Sequence, residues 1–169
     1  MYYLGVDLGG TNIKAALVSE NGEIVKEAAT PTNLPHTAQE VCDDIAALCL
    51  QLGAGEPVAG IGVGCPGTVC DGVVLYSNNL DWHDFAMADY LQAKTGLPVC
   101  LGNDANVAAL GEALAGCAKG AQSAVILTLG TGVGAGVVLG GKLLTGYTGA
   151  AAEAGHMVIA DTPDAPLCT

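Results

Sequence analysis

The sequence predicts an α/β protein: a mixed β-sheet flanked by helices, followed by the start of a second, similar unit. Two observations carry this prediction. Short apolar runs that stop on glycine or aspartate alternate with segments of helical periodicity. In addition, Asp7–Val18 (DLGGTNIKAALV) matches Thr128–Leu139 (TLGTGVGAGVVL) without a gap, and the order strand, glycine turn, strand, turn, strand recurs with the match.

The elements follow in order. Tyr2–Asp7, Asn12–Val18 and Glu23–Ala29 read as strands, the last two joined by the hairpin pair Asn21-Gly22. Thr30–His36 holds two prolines and reads as a loop. Thr37-x-x-Glu40 is a capping box that opens an amphipathic helix to about Leu52, with Val41, Ile45, Leu48 and Leu52 on one face. Val58–Gly64 is a buried strand stopped by Pro66-Gly67, and Thr68–Leu75 is a hairpin around Asp71-Gly72. Asp84–Thr95 is read as a second helix closed by Gly96, Leu97–Leu101 as a strand, and Ala105–Leu114 as a third helix. Beyond the linker Gly116–Gln122 come strands at Ser123–Leu129, Gly136–Leu139 and Lys142–Leu144. The expected division is a first domain over 1–118 and the beginning of a second over 119–169.

Composition narrows the functional classes. Of the 169 residues, 51% are hydrophobic, which indicates a buried core rather than disorder. Seventeen acidic residues against five lysines and arginines give a net charge of −12, so the basic footprint of a nucleic-acid binder is missing. No apolar run reaches the 18 or so residues a membrane span needs. Met1 runs straight into strand-like sequence without a basic leader, and the seven cysteines follow no framework; both predict a cytoplasmic protein.

The first glycine turn, VDLGGTNIK (Val6–Lys14), ends a strand in a carboxylate and then bares the backbone. Gly9 and Gly10 let backbone N–H groups approach a phosphate, the Thr11 hydroxyl can donate to it, and Asp7 can hold a hydrated Mg²⁺. Two stretches match a relaxed dinucleotide fingerprint, Gly62-x-Gly64-x-x-Gly67 and Gly130-x-Gly132-x-x-Ala135. Neither is followed by a helix, so a Rossmann site is excluded, and no P-loop is present. In GNDAN, Asp104 stands at a strand-to-helix junction, where it can serve as a base toward a hydroxyl or simply cap the helix.

Six segments in order resemble the ROK sugar kinases (repressor, open reading frame, kinase), bacterial glucokinases in particular. They are D-x-G-G-T-x-x-K at Asp7–Lys14, GCPGTV at Gly64–Val69, N-L-x-W at Asn79–Trp82, N-D-x-N at Asn103–Asn106, L-G-T-G-x-G at Leu129–Gly134 and G-x-x-x-E-x-G-H at Gly149–His156. The resemblance implies the actin- and hexokinase-like (ribonuclease H-like) fold and ATP-dependent phosphorylation of a hexose, with glucose first and N-acetylmannosamine, fructose or allose as rivals. It implies Asp104 as the catalytic base, with Gly67, Asn78, Asn103, Asp104, Glu153 and His156 around the sugar. ATP–Mg²⁺ would meet Asp7, Gly9, Gly10, Thr11, Asn12 and Lys14 on one side and Gly130, Thr131 and Gly132 on the other. It also implies a homodimeric complete protein, about twice this length, with a structural zinc. His156 and Cys168 would be two of the zinc ligands; two do not close a four-coordinate site. The chain is therefore expected to be an incomplete, inactive part of such an enzyme. Ala152 and Thr68 depart from the pattern. A sugar-sensing regulator of the same family is the rival class, disfavoured by the acidic charge and by the absence of a basic helix-turn-helix ahead of the first strand.

Overall fold

The computed structural model describes residues 1–130 and 132–159. Thr131 and Cys168, both expected site residues, lie outside them.

Strand β1 (Tyr2–Leu8) pairs antiparallel with β2 (Asn12–Ser19), which pairs antiparallel with β3 (Ile24–Pro31). On its other edge β1 takes β4 (Val58–Cys65) in parallel, and β4 takes β8 (Val99–Asn103) in parallel. The five-stranded sheet thus runs β3-β2-β1-β4-β8. Alternation decides which face is buried: Leu4, Val6 and Leu8 of β1 and Ile13, Ala15 and Leu17 of β2 point to one side. Helix α1 (Ala38–Leu52) lays Val41, Ile45, Leu48 and Leu52 into the same core, each buried side chain contributing roughly 1.5–3 kcal/mol. Its capping box is formed as expected: Thr37 accepts from the Glu40 N–H, and the Glu40 carboxylate accepts from the Thr37 N–H at 2.8 Å. Helix α2 (Met87–Thr95) joins that layer through Lys94, whose ammonium meets the Asp43 carboxylate at 2.8 Å.

A three-stranded meander, β5 (Thr68–Cys70), β6 (Val73–Ser77) and β7 (Trp82–Phe85), follows β4. The expected helix from Asp84 is corrected here: residues 82–85 pair with β6, Ser77 facing Trp82 and Tyr76 facing His83, and α2 starts only at Met87. Asp84 has φ +47°, the left-handed region, so it cannot cap a helix in the ordinary extended conformation.

Helix α3 (Asp104–Leu114) leads to a second three-stranded sheet, β9 (Ser123–Leu129), β10 (Val133–Leu139) and β11 (Lys142–Leu143), in the order β11-β10-β9. Strand β10 begins three residues earlier than expected. Gly134, left outside the expected strand, and Gly136, its expected first residue, are both strand residues packed on α3, where a Cβ at Gly136 would collide with Ala109 and the Ala105 carbonyl. The ungapped repeat also needs correction. Leu8 pairs with Ile13 across the first turn, whereas Leu129 pairs with Val133 across the second, which is one residue shorter.

Candidate functional site

The parallel strands β1, β4 and β8 end side by side, with Asp7 opposite Gly64, Gly64 opposite Gly102 and Cys65 opposite Asn103. The carboxyl ends of parallel strands are where open α/β sheets place ligands, because the chain must leave the sheet there and opens a crevice. The expected site residues Asp7, Gly67, Asn103 and Asp104 all gather at this end.

Asn103 is the joint. Its Nδ2 donates to the Gly67 carbonyl at 3.1 Å, and its Oδ1 accepts from the Asn106 N–H at 3.1 Å, capping α3. Capping and site assembly are therefore done by one side chain. Gly67 sits at φ +99°, and a Cβ there would run into the Tyr76 carbonyl and into Ser77, 2.8 Å from its Cα. Only glycine fits this turn. Asn78 lies just past β6, exposed, its Oδ1 accepting from the Tyr76 hydroxyl at 3.0 Å.

Asp104 keeps an exposed edge, but its carboxylate is partly removed from water, and that raises its pKa above the ordinary aspartate value. The negative charge of Asp7 pushes the same way, while the Ala105 N–H, which donates to Asp104 Oδ1 at 2.8 Å, and the Asn103 side chain oppose it. A carboxylate held at higher basicity beside a second carboxylate is suited to accept a proton.

The first glycine turn is exposed at Gly10, Thr11 and Asn12. The Gly9 N–H donates to the Asn12 carbonyl at 3.0 Å, which closes the turn. In the second, the Gly130 N–H donates to the Gly132 carbonyl at 3.0 Å. Added Cβ atoms at Gly10, Gly130 and Gly132 would meet nothing within 4 Å, so all three border open space. The second hairpin reaches the site through α3: Gly134 approaches Ala105, the residue after Asp104, so that a Cβ would lie 3.0 Å from the Ala105 methyl.

Glu153 and His156 stand apart from Asn103 and Asp104. Their side chains are 3.9 Å from each other on a single 3-10 turn (Ala154–His156) that packs against the start of β10 at Val133. Among the described residues no hydrogen bond ties them to the Asn103–Asp104 cluster, and no group of three His, Cys, Asp or Glu is close enough to hold a metal. A groove of about 1140 Å³ is lined by Asp7, Lys14 and Asn103 together with sheet residues, Val107 and Leu110 of α3, and Leu143, Thr145 and Gly149 of the second unit. It runs between the first sheet, α3 and the 143–149 segment, with Asp7 and Asn103 of the cluster on its wall. Sequence reasoning missed Thr32, a fully buried polar residue whose hydroxyl donates to the Gly9 carbonyl at 2.6 Å; it fell within a stretch read as loop, and no motif marks it.

Comparison with solved structures defines the class of this fold. A ROK family glucokinase from Streptomyces griseus, solved in complex with glucose and AMPPNP, superimposes with TM-score 0.87 at 39% identity, over 95% of this chain and 51% of that one. The ROK hexokinase from Thermus thermophilus gives TM-score 0.83 at 36% identity, over 99% and 56%. The fold is that of the ROK hexokinases. In sequence, a glucokinase of Thermotoga maritima is 43% identical over 168 residues, covering 98% of this chain and 52% of the relative. The chain belongs to the ROK family, which matches residues 3–169. It spans about half the length of these relatives.

Proposed function

We propose that the complete protein phosphorylates a hexose with ATP, with glucose as the preferred acceptor, and that this chain supplies the sugar-facing half and one wall of the nucleotide site. The observation that carries the reading is the Gly67–Asn103–Asp104 cluster with Asp7 beside it, a basic carboxylate fixed at the carboxyl end of the parallel strands. Asp104 takes the proton from the attacking sugar hydroxyl, and general-base assistance of this kind is worth about 10²–10⁴-fold. Gly67 and Asn103 shape the sugar pocket, with Asn78 at its edge and Glu153 and His156 contributing from the second unit. The glycine turns at 9–12 and 130–132 present backbone N–H groups to the phosphates, and Thr11 and Lys14 add a hydroxyl and a positive charge. The exposed Asp7 carboxylate, at the strand end preceding the first turn, would hold a hydrated Mg²⁺, whose charge offsets that of the phosphates. The boundary after residue 118, a dimeric complete protein and a zinc held partly by His156 and Cys168 belong to the same proposal.

The test is an ATP-coupled assay on this chain and on the complete gene product, across glucose, mannose, fructose, allose and N-acetylmannosamine. Turnover by the complete product on glucose, and none by this chain alone, is expected. Sugar binding without turnover in the complete product would assign it instead to the sugar-sensing regulators of the family.

A further inference from the structure

Thr32 follows β3 at its last residue and is entirely buried, although its neighbours Pro31 and Asn33 are exposed. Its hydroxyl donates to the Gly9 carbonyl at 2.6 Å, and its N–H donates to the Thr11 carbonyl at 2.9 Å. Two carbonyls of one four-residue turn are thus bonded by a single residue, that of Gly9 by the buried hydroxyl and that of Thr11 by the backbone. The trans peptide unit is planar, so the C=O of one residue and the N–H of the next point in opposite directions. Holding the Gly9 carbonyl inward sends the Gly10 N–H outward, while the bond to the Thr11 carbonyl extends the β2–β3 ladder and anchors the far side of the turn. Among the described residues the Gly10 N–H meets no acceptor, and Gly10 is exposed. A turn free to flip its 9–10 peptide would present a carbonyl oxygen to the same space and repel an anion.

We propose that Thr32 is a positioning residue for the nucleotide phosphates: it fixes, from inside the fold, the orientation of the peptide units in the Gly9–Asn12 turn so that N–H groups rather than carbonyls face the ligand. This rests on the kinase reading above, since it takes the turn's ligand to be the phosphate chain of ATP. Thr32 touches no substrate. It acts through the backbone, which is why a hydroxyl is needed where the burial alone would suit valine.

The experiment uses the complete gene product and compares Thr32→Val, which keeps the shape and removes the donor, with Thr32→Ser, which keeps the donor. Kd for AMPPNP–Mg²⁺ is measured by titration, KM for ATP and for hexose by coupled assay, and amide hydrogen exchange of the 9–12 segment without nucleotide. The expected result is about a 10-fold weaker Kd and higher KM for the nucleotide in Thr32→Val, the scale of one lost hydrogen bond. Hexose KM should stay within about twofold, exchange in the turn should be faster, and Thr32→Ser should recover near wild-type values. Should the valine variant not fold, Thr32→Cys, a weaker donor of similar size, carries the same expectation. A folded Thr32→Val with wild-type nucleotide affinity overturns the proposal, as does an equal rise in both Michaelis constants. Failure of the wild-type protein to bind AMPPNP at all overturns the kinase reading, and the phosphate role of Thr32 with it.

Discussion

Asp7 and Asp104, at the ends of β1 and β8, lie close enough that the negative charge of the first raises the pKa of the second. The strand register brings them to the same end of the sheet, and burial of the Asp104 carboxylate is the larger cause of the shift. Replacing Asp104 by Asn keeps an oxygen for the Ala105 N–H but removes the base. In the complete protein, kcat should fall about 10²–10⁴-fold with hexose affinity little changed. A mutant retaining near-wild-type kcat would leave Asp104 without a catalytic part.

The same shift sets a pH dependence. The folded-state pKa of Asp104 is raised, so the folded state holds this proton more tightly than the unfolded chain. The stability it contributes is complete below the unfolded value of 3.8 and is lost as pH rises through the raised folded value. Asp104→Asn should therefore raise the melting temperature at neutral pH, and the gain should vanish near pH 3. In the protein free of nucleotide and metal, Asp7→Asn should lower the pKa of Asp104, read by NMR titration of its carboxyl carbon, because the repelling charge is gone. An unmoved titration would separate the two carboxylates.

Gly67→Ala places a Cβ against the Tyr76 carbonyl at a left-handed φ. Backbone strain of this kind costs about 1–3 kcal/mol. Denaturant melts should show that loss, and hexose KM should rise because the turn bound by Asn103 must shift.

Gly10→Val and Gly132→Val test the opposite case. A Cβ at either position meets nothing within 4 Å, so the melting temperature should change little. KM for ATP should rise while that for hexose stays the same. A change in the sugar constant would place these turns at the wrong substrate.

Burial pushes the Cys42 and Cys65 thiols up to about 12 and Cys49 up to about 11, whereas Cys70 and Cys100 are exposed. The thiolate is the reactive form. A thiol reagent at pH 8 should modify Cys70 and Cys100 rapidly in the folded protein and reach Cys42, Cys49 and Cys65 only after denaturant is added, a difference that mass spectrometry of timed samples resolves.

Much of this fold was legible because local signals agreed with tertiary demands. The capping box at Thr37, the hairpin at Asn21-Gly22 and the alternation in β1 and β2 each had one physical reading. Asp84 and Phe85 were misread as the start of a helix because the segment that follows is helical, and only pairing with β6 makes them strand residues. The start of β10 was placed too late for a related reason: the bareness of Gly134 serves contact with α3, a partner distant in the chain. The chemistry-bearing residues Asp7, Asn103 and Asp104 could be found from motifs, whereas Thr32 could not, since its role depends on a 23-residue separation from Gly9 that no local pattern encodes.

Helix α3 touches both sheets through nearly bare backbone: Gly64 beneath Val107 on one side, and Gly136 against Ala109 on the other. At these points the missing Cβ atoms let helix and strands close to contact, so α3 is a shared wall, and any side chain added at 64 or 136 would prise it off one of its two sheets.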